Sequence, residues 1–240
     1  MNTGNAGIEI FNDNNNLIVN AMYKNLELSR KIKVESLSVT TNKHAPLLKA
    51  EFDLLDGECL VAVKHESGDT CYGYISVEDK KIICTKWYTT LKDGNIPKNT
   101  WLYVFRWSKK TLSKSYGLQV FDEKGECVFD SSKRYMRVVY FGNNEKTLPT
   151  GREYAVVQLG KRVEYNGYSH QAYPMENPYY VTTSWKITIP VIYGNQVKYK
   201  TTLSLYTNVS KARIVDQIES IGIKKFEDNL SAMVIDVTGL

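Results

Sequence analysis

A chain of 240 residues with 42% hydrophobic residues is long enough to bury a full core, as one large domain or two smaller ones. No apolar run reaches the length of a membrane-spanning helix, and the first residues lack the basic and apolar regions of a signal peptide, so we predict cytoplasmic synthesis without membrane insertion. The 31 basic and 26 acidic residues give a net charge of +5, and the basic residues cluster only in pairs, which argues against a nucleic-acid partner.

The N-terminal part of the chain has the pattern of an all-β protein. Residues 7–11 alternate in polarity, 13–16 form a polar turn, and 17–20 complete a β-hairpin. Further strand-like segments follow, separated by turn residues such as Asp56-Gly57. These segments are 26–39, 47–55, 59–63, 71–77 and 81–88.

Residues 101–107 are the most β-prone run of the chain. Alternate residues divide it into two apolar sets, which predicts a central strand buried on both faces. One set is Trp101, Tyr103, Phe105 and Trp107, and the other is Leu102 and Val104.

A second hairpin follows at 117–132 and repeats the first. The two copies align without a gap from Gly7/Gly117 to Ser29/Val139, at one constant offset in the numbering (117 − 7 = 110). Only the opening glycine and Phe11/Phe121 are identical, and the other positions match by class. Two copies at this offset do not make a solenoid, so we predict two related hairpins in one β-rich body.

The repeated hairpin also carries a resemblance to a known family. Residues 116–139, YGLQVFDEKGECVFDSSKRYMRVV, together with NTWLYVFRW at 99–107 and GIEIFNDNNNLIVNAMYKNLELSRK at 7–31, resemble phage tail-associated virion proteins. These are small β-rich proteins encoded among the tail-tip and fibre proteins of tailed phages. The resemblance covers residues 4–160 and implies a location in the virion tail, other tail proteins as partners and an oligomeric state. It supplies no catalytic residue and no cofactor.

The C-terminal third begins after a polar segment at 143–152 that contains proline and glycine. This segment predicts a boundary between a β-sandwich at 1–148 and a second β-rich region at 149–240, with a single domain as the alternative. Residues 154–159 and 233–237 read as strands, and 185–193 and 197–206 flank a Gly194-Asn195 hairpin turn. For residues 211–230 a short helix and strands remain equal alternatives.

Residues 164–180 are predicted to be a loop rich in tyrosine, asparagine and proline. Sugar-binding proteins stack aromatic side chains on pyranose rings, and tyrosine also suits protein contacts. The candidate contact residues for a host glycan or a protein partner are Tyr165, Tyr168, Tyr173, Tyr179 and Tyr180.

The chemistry-bearing residues do not form a recognisable catalytic or metal-binding motif. Cys59, Cys71, Cys84 and Cys127 lack C-x-x-C spacing and are interpreted as free, buried thiols, with a Cys/His cluster around His65 as the alternative. His44, His65 and His170 lie in polar segments and are interpreted as surface residues. Asp53, Asp56 and Glu58 could pair as in a glycoside hydrolase, but a solvated turn explains them better.

Three hypotheses follow from the sequence. The first is an all-β, antiparallel β-sandwich that is a non-enzymatic structural protein of a phage tail tip or fibre, with no cofactor or metal. The second is a receptor- or carbohydrate-binding module for host attachment. The third is a polysaccharide-degrading enzyme.

Overall fold

The described part of the chain is built from β-strands and turns. The computed structural model describes residues 9–11, 17–20, 25–34, 38–40, 47–65, 73–87, 100–107, 117–122, 124–171, 179–206, 210–212 and 224–240, and these residues contain no helix. All paired strands are antiparallel, so the predicted fold class is confirmed. Of the region where a helix or strands were predicted, residues 213–223 lie outside the described residues, and strands lie on either side of them.

Twenty strands are described. Those before residue 110 are β1 (Glu9–Phe11), β2 (Leu17–Asn20), β3 (Leu26–Val34), β4 (Ser38–Thr40), β5 (Leu47–Asp53), β6 (Glu58–His65), β7 (Gly73–Glu78), β8 (Lys81–Trp87) and β9 (Thr100–Trp107). Those after it are β10 (Gln119–Phe121), β11 (Cys127–Asp130), β12 (Val138–Gly142), β13 (Lys146–Thr147), β14 (Tyr154–Gln158), β15 (Arg162–Gln171), β16 (Tyr179–Tyr193), β17 (Gln196–Tyr206), β18 (Ser210–Ala212), β19 (Lys224–Asp228) and β20 (Ala232–Asp236).

The strands form three larger sheets and two separate hairpins. A six-stranded sheet has the order β12-β20-β14-β6-β9-β3 and contains strands from both sides of the segment at 143–152. A second sheet has the order β4-β5-β8-β7, and a third has β13-β17-β16-β15-β19, with β18 also paired to β16. The hairpins are β1-β2 and β10-β11.

The six-stranded sheet carries a core on each face. One cluster joins side chains of this sheet, such as Val63, Val104 and Val234, to Ile82 of the second sheet and Ile192 of the third, which is a sandwich-like packing of layers. The other cluster draws its buried members from the six-stranded sheet and the residue after it. They are Ala62, Tyr103, Phe105, Ala155, Val157, Ile235 and Val237.

The segment 134–142 brings the two edges of the six-stranded sheet together. Its second half is β12, which pairs with β20. Its first half lies against β3, where the Leu28 amide donates to the Arg134 carbonyl (2.7 Å) and the Met136 amide donates to the Leu26 carbonyl (2.8 Å). The sheet therefore closes on itself, and its own strands enclose the second cluster, which we call the inner cluster.

Strand β9 occupies the central position predicted for it. It pairs with β3 on one side and with β6 on the other. The side chains of Leu102, Tyr103, Val104 and Phe105 are fully buried, two on each face of the sheet. Trp107, at the end of the strand, is exposed.

The hairpin repeat is confirmed down to its register. Hairpin one pairs Glu9 with Asn20, Ile10 with Val19 and Phe11 with Leu17, and a bulge follows Ile10. Hairpin two pairs Gln119 with Asp130, Val120 with Phe129 and Phe121 with Cys127, and a bulge follows Val120. Every position keeps the offset seen in the sequence (119 − 9 = 110 and 130 − 20 = 110), so the two hairpins share one backbone design.

The duplication continues beyond the hairpins into the six-stranded sheet. Its two halves have matching orders, β6-β9-β3 and β14-β20-β12, and meet where β6 pairs with β14. The bulge in β3 lies between Leu28 and Arg30, and that in β12 lies between Val138 and Tyr140, again at the same offset (138 − 28 = 110). Strands β1–β9 and β10–β20 therefore contain two copies of one topology.

The predicted loop at 164–180 is wrong for most of its length. Residues 162–171 form β15 and residues 179–193 form β16, and the two strands pair over ten positions from Arg162 opposite Thr188 to Gln171 opposite Tyr179. Strand β15 also pairs with β19 and β16 with β17, so tertiary pairing outweighs the turn-like composition. Only residues 172–178 lie outside the described strands.

Candidate interaction surface

Buried carboxylates form hydrogen bonds and ion pairs between strands of the closed sheet. Glu58 is the first of them. The interpretation of Glu58 as part of a solvated turn is wrong, because its side chain is fully buried. It accepts hydrogen bonds from the Leu55 amide (2.8 Å), the Ser29 hydroxyl (2.8 Å) and two nitrogens of Arg30 (3.0 and 2.9 Å). Glu58 thus joins β6 to β3 across the sheet, which is a structural role.

The two copies of the duplicated strand carry the same ion pair with its charges exchanged. In the first copy, buried Glu27 of β3 lies 2.8 Å from Nε of Arg106 on β9 and 2.9 Å from Nζ of Lys133. In the second, Arg137 is the equivalent of Glu27 (137 − 27 = 110) and faces buried Asp236 at 3.5 Å, and Asp236 also binds Arg152 at 2.8 Å. An ion pair thus occupies equivalent positions in the two copies, with the acidic and basic residues exchanged between the strands.

These carboxylates make stability depend on pH. Burial raises the pKa of Asp236, but the Thr238 hydroxyl and amide, Arg152 and Arg137 outweigh it, so that the pKa lies below its ordinary 3.8. Burial also raises the pKa of Glu58, and the Leu55 amide, Arg30 and Ser29 lower it below 4.5. A carboxyl with a lower pKa in the folded chain contributes stability above its unfolded pKa and loses it as the pH falls through the folded value.

We therefore expect the free energy of unfolding to decline as the pH falls below about 4.5. Urea unfolding followed by tryptophan fluorescence at a series of pH values measures this decline. The combined replacements Asp236→Asn and Glu58→Gln are expected to flatten it, and Asp56→Asn, in the exposed turn beside Glu58, serves as the control. An unchanged acid dependence in the double variant would contradict the assignment.

The histidine and cysteine interpretations need two corrections. His65 is buried in β6, with Nδ1 3.2 Å from the Thr100 hydroxyl, so its interpretation as a surface residue is wrong. Among the cysteines, Cys84 and Cys127 are buried, as predicted, but Cys59 is exposed. His44 and Cys71 lie outside the described residues, and His170 is described only as a backbone position of β15.

The most conspicuous exposed feature is the β12 face, which we define as Val138, Val139 and Phe141 of β12 with Leu159 beyond β14. Phe141 is 68% exposed, and the other three are between 39% and 43% exposed. Phe141 lies opposite Met233 in the register, and Met233 in turn lies opposite Val157. The face therefore continues the inner cluster outward at one end of the closed sheet.

The equivalent part of β3 is charged. The residue of the first copy that corresponds to Phe141 is Lys31 (141 − 31 = 110), and Lys33 follows on the same strand. The Lys31 ammonium lies 4.9 Å from the ring centroids of both Trp101 and Tyr103, and that of Lys33 lies 5.8 Å from Trp101. The same backbone position thus accepts a lysine in one copy and an exposed phenylalanine in the other, so the fold itself does not require the apolar residue.

Strand β12 is held firmly from its other face. Tyr140 packs against the core, and its hydroxyl donates to the Asn144 carbonyl (2.8 Å) and accepts from the Asn144 amide (3.2 Å). The Tyr199 hydroxyl donates to the Gly142 carbonyl (3.1 Å), and burial raises the pKa of Tyr199 to about 12. Sequence reasoning missed the β12 face, although aligning VVYFG (138–142) with LSRKI (28–32) exposes the contrast.

The tyrosines predicted as contact residues occupy the β15-β16 hairpin. Tyr165 lies opposite Trp185, Tyr168 opposite Thr182, and Tyr180 opposite His170. Because cross-strand partners share a face and successive residues alternate, Tyr168 and Tyr180 belong to one face, and Tyr165 and Tyr179 to the other. Tyr173 lies outside the described residues.

Within the described ranges, no three His, Cys, Asp or Glu side chains are placed to hold a metal ion. The same part of the chain has no helix of a length and apolarity that could cross a membrane. Comparisons with known protein families, characterised proteins and solved structures give no match.

The class of this protein follows from its fold and its surface alone. The chain is an internally duplicated, antiparallel all-β protein. It carries an exposed apolar face on β12 in one copy and a lysine-rich strand at the equivalent position of the other.

Proposed function

We propose that the chain is a non-enzymatic structural protein of a bacteriophage virion, located in the tail-tip or fibre region. The observation that carries this proposal is the resemblance of residues 116–139, repeated at 7–31, to tail-associated virion proteins. Its partners are other tail proteins, bound through protein–protein interfaces. The protein is made in the host cytoplasm and works within the tail.

The surface of the described residues is consistent with an assembling component. Protein interfaces are enriched in aromatic and other apolar side chains at their centres, and the β12 face presents Phe141 with Val138 and Val139. The end of the strand that carries them is hydrogen-bonded by the Tyr140 hydroxyl to Asn144 and by the Tyr199 hydroxyl to Gly142.

Mass spectrometry of purified virions with lysine-directed cross-linking tests the proposal. We expect the protein at a fixed copy number and cross-linked to tail-tip or fibre proteins. Lys146 of β13 lies next to the β12 segment, so its cross-links identify proteins bound near β12. Lys80, in the turn between β7 and β8, identifies proteins bound near a different sheet. Absence from virions together with abundance in infected cells would contradict the structural role.

Glycan binding in host attachment is a second candidate, favoured by the register of the β15-β16 hairpin. Tyr168 and Tyr180 are diagonal neighbours on one face, because Tyr168 lies opposite Thr182, two residues from Tyr180. We expect binding to host cells or glycan arrays to be lost in Tyr168→Ala/Tyr180→Ala and retained in Tyr165→Ala/Tyr179→Ala, which alters the opposite face. Equal binding by both variants and the unaltered protein would exclude this hairpin as the glycan site.

A further inference from the structure

Two exposed arginines lie against one buried carboxylate in the second copy. Asp236 is buried, and its Oδ1 accepts a hydrogen bond from the Thr238 amide (2.9 Å). The Arg152 guanidinium donates to Oδ2 at 2.8 Å, and the Arg137 guanidinium lies 3.5 Å from Oδ1. The side chains of Arg137 and Arg152 are 47% and 55% exposed, so both guanidinium groups reach the surface beside the same carboxylate.

This arginine pair carries more positive charge than Asp236 neutralises. Arginine stays protonated in proteins, so two guanidinium groups and one carboxylate leave one positive charge. The next carboxylate along the chain, Glu153, pairs instead with Lys64 at 2.8 Å. The hydrogen bond from Lys64, with a smaller effect of Lys31, lowers the pKa of Glu153. Among the described residues, no carboxylate other than Asp236 pairs with either arginine.

The pair also has hydrogen-bond donors that the fold does not use. A guanidinium group carries five N–H donors in a planar fork. Arg152 uses Nη1 for Asp236, and Arg137 uses Nη2 for the Thr238 carbonyl (2.6 Å). The main chain of Arg137 is held in place as well, because the Asp236 amide donates to its carbonyl (2.9 Å). The other donors of the two guanidinium groups have no acceptor in the described part of the chain.

The equivalent ion pair of the first copy is less accessible. There the two cations beside buried Glu27 are Arg106 and Lys133, whose side chains are 30% and 17% exposed. An exposed pair of arginines is therefore a feature of the second copy alone, although both copies contain the underlying ion pair.

We propose that Arg137 and Arg152 bind a carboxylate side chain from an acidic segment of a partner protein. Guanidinium groups bind carboxylates through paired N–H···O bonds, and arginine is enriched at protein interfaces. A carboxylate at this point neutralises the remaining positive charge and accepts from the unused donors. The identity of the partner as another tail protein rests on the proposed function.

The test is fluorescence anisotropy of a fluorescein-labelled hexaglutamate peptide, titrated with the purified full chain at low ionic strength. Arg152→Gln removes one guanidinium and leaves Arg137 to pair with Asp236. Arg152→Lys keeps the charge without the planar donors and provides a folded variant if the glutamine variant unfolds. Arg134→Gln is the matched control, because Arg134 is an exposed arginine of the same segment that has no bond to Asp236. Thermal unfolding establishes which variants are folded.

We expect the unaltered chain and Arg134→Gln to bind the peptide with similar affinity. Arg152→Gln is expected to bind it at least about fivefold more weakly, and Arg152→Lys at least about twofold more weakly. Absence of binding by the unaltered chain, or unchanged binding by the Arg152 variants, would overturn the proposal. Equal weakening by Arg134→Gln would also overturn it, since the attraction would then be a general effect of positive charge. The presence of the protein in virions is a separate measurement, so a failure of this site is distinguishable from a failure of the proposed function.

Discussion

Gly160→Ala is expected to destabilise the fold by at least about 3 kcal/mol, which is roughly 6–12 °C in Tm for a chain of this size. Gly160 connects β14 to β15 and lies against Asn229, between β19 and β20. A Cβ at position 160 would overlap the Asn229 carbonyl oxygen and lie 2.7 Å from the carbonyl carbon. Both are main-chain atoms, so the overlap is relieved only if one of the two connections moves.

Gly151→Ala is the matched control for this prediction. Gly151 has a φ of +77°, and a Cβ there would meet no atom within 4 Å. The control therefore measures the backbone strain of alanine without a steric clash, about 1 kcal/mol. Thermal and urea unfolding of the two variants measure the difference. Equal stability of Gly160→Ala and Gly151→Ala would show that the β14-β15 connection does not lie so close to Asn229.

Exchanging the charges of the Glu27–Arg106 pair is expected to cost far less than changing either residue alone. Glu27→Arg places a third cation beside Arg106 and Lys133, and Arg106→Asp places a second carboxylate beside buried Glu27. Each single change is expected to cost about 3–5 kcal/mol, because it leaves like charges in a largely buried site. The double variant reproduces the polarity of Arg137 and Asp236.

A double-mutant cycle measured by urea unfolding quantifies the coupling. We expect the double variant to recover at least about 1.5 kcal/mol relative to the sum of the single changes. The analogous exchange at Arg30 and Glu58 is the control, because Glu58 also accepts from the Leu55 amide and the Ser29 hydroxyl, and arginine cannot replace this acceptor. Recovery at Glu27/Arg106 without recovery at Arg30/Glu58 is the expected result. If the costs of the two single changes simply add at both sites, the two copies are equivalent in their backbones but not in this ion pair.

Local alternation was sufficient to predict the strands whose side chains face a core on one or both sides. Residues 101–107 read as a central strand, and β9 is one, because its four central side chains are apolar and all are buried. The two hairpins were readable for a similar reason, since turn composition and alternation are properties of adjacent residues. The sequence also revealed the internal repeat as far as Val139, and the strand registers extend the same offset through Phe141 and Lys31.

Residues 164–180 show where local reasoning fails. Their tyrosine, asparagine and proline content is typical of a loop, yet β15 is a strand because β16 and β19 lie on either side of it. The candidate tyrosines consequently divide between two faces by register. The β12 face was missed because the alternation of VVYFG alone does not show which residues face away from the core, and this follows only from the register and bulge of β12 against β20.

The sequence by itself determined the β class, the positions of most strands and the existence of two related hairpins, because these depend on the periodicity of neighbouring residues. Only the tertiary structure decided which strands meet, that the six-stranded sheet closes through 134–142, and that Glu27 faces Arg106, 79 residues away. Burial and pairing over such separations depend on the register of strands that are distant in sequence. No window of adjacent residues contains that information.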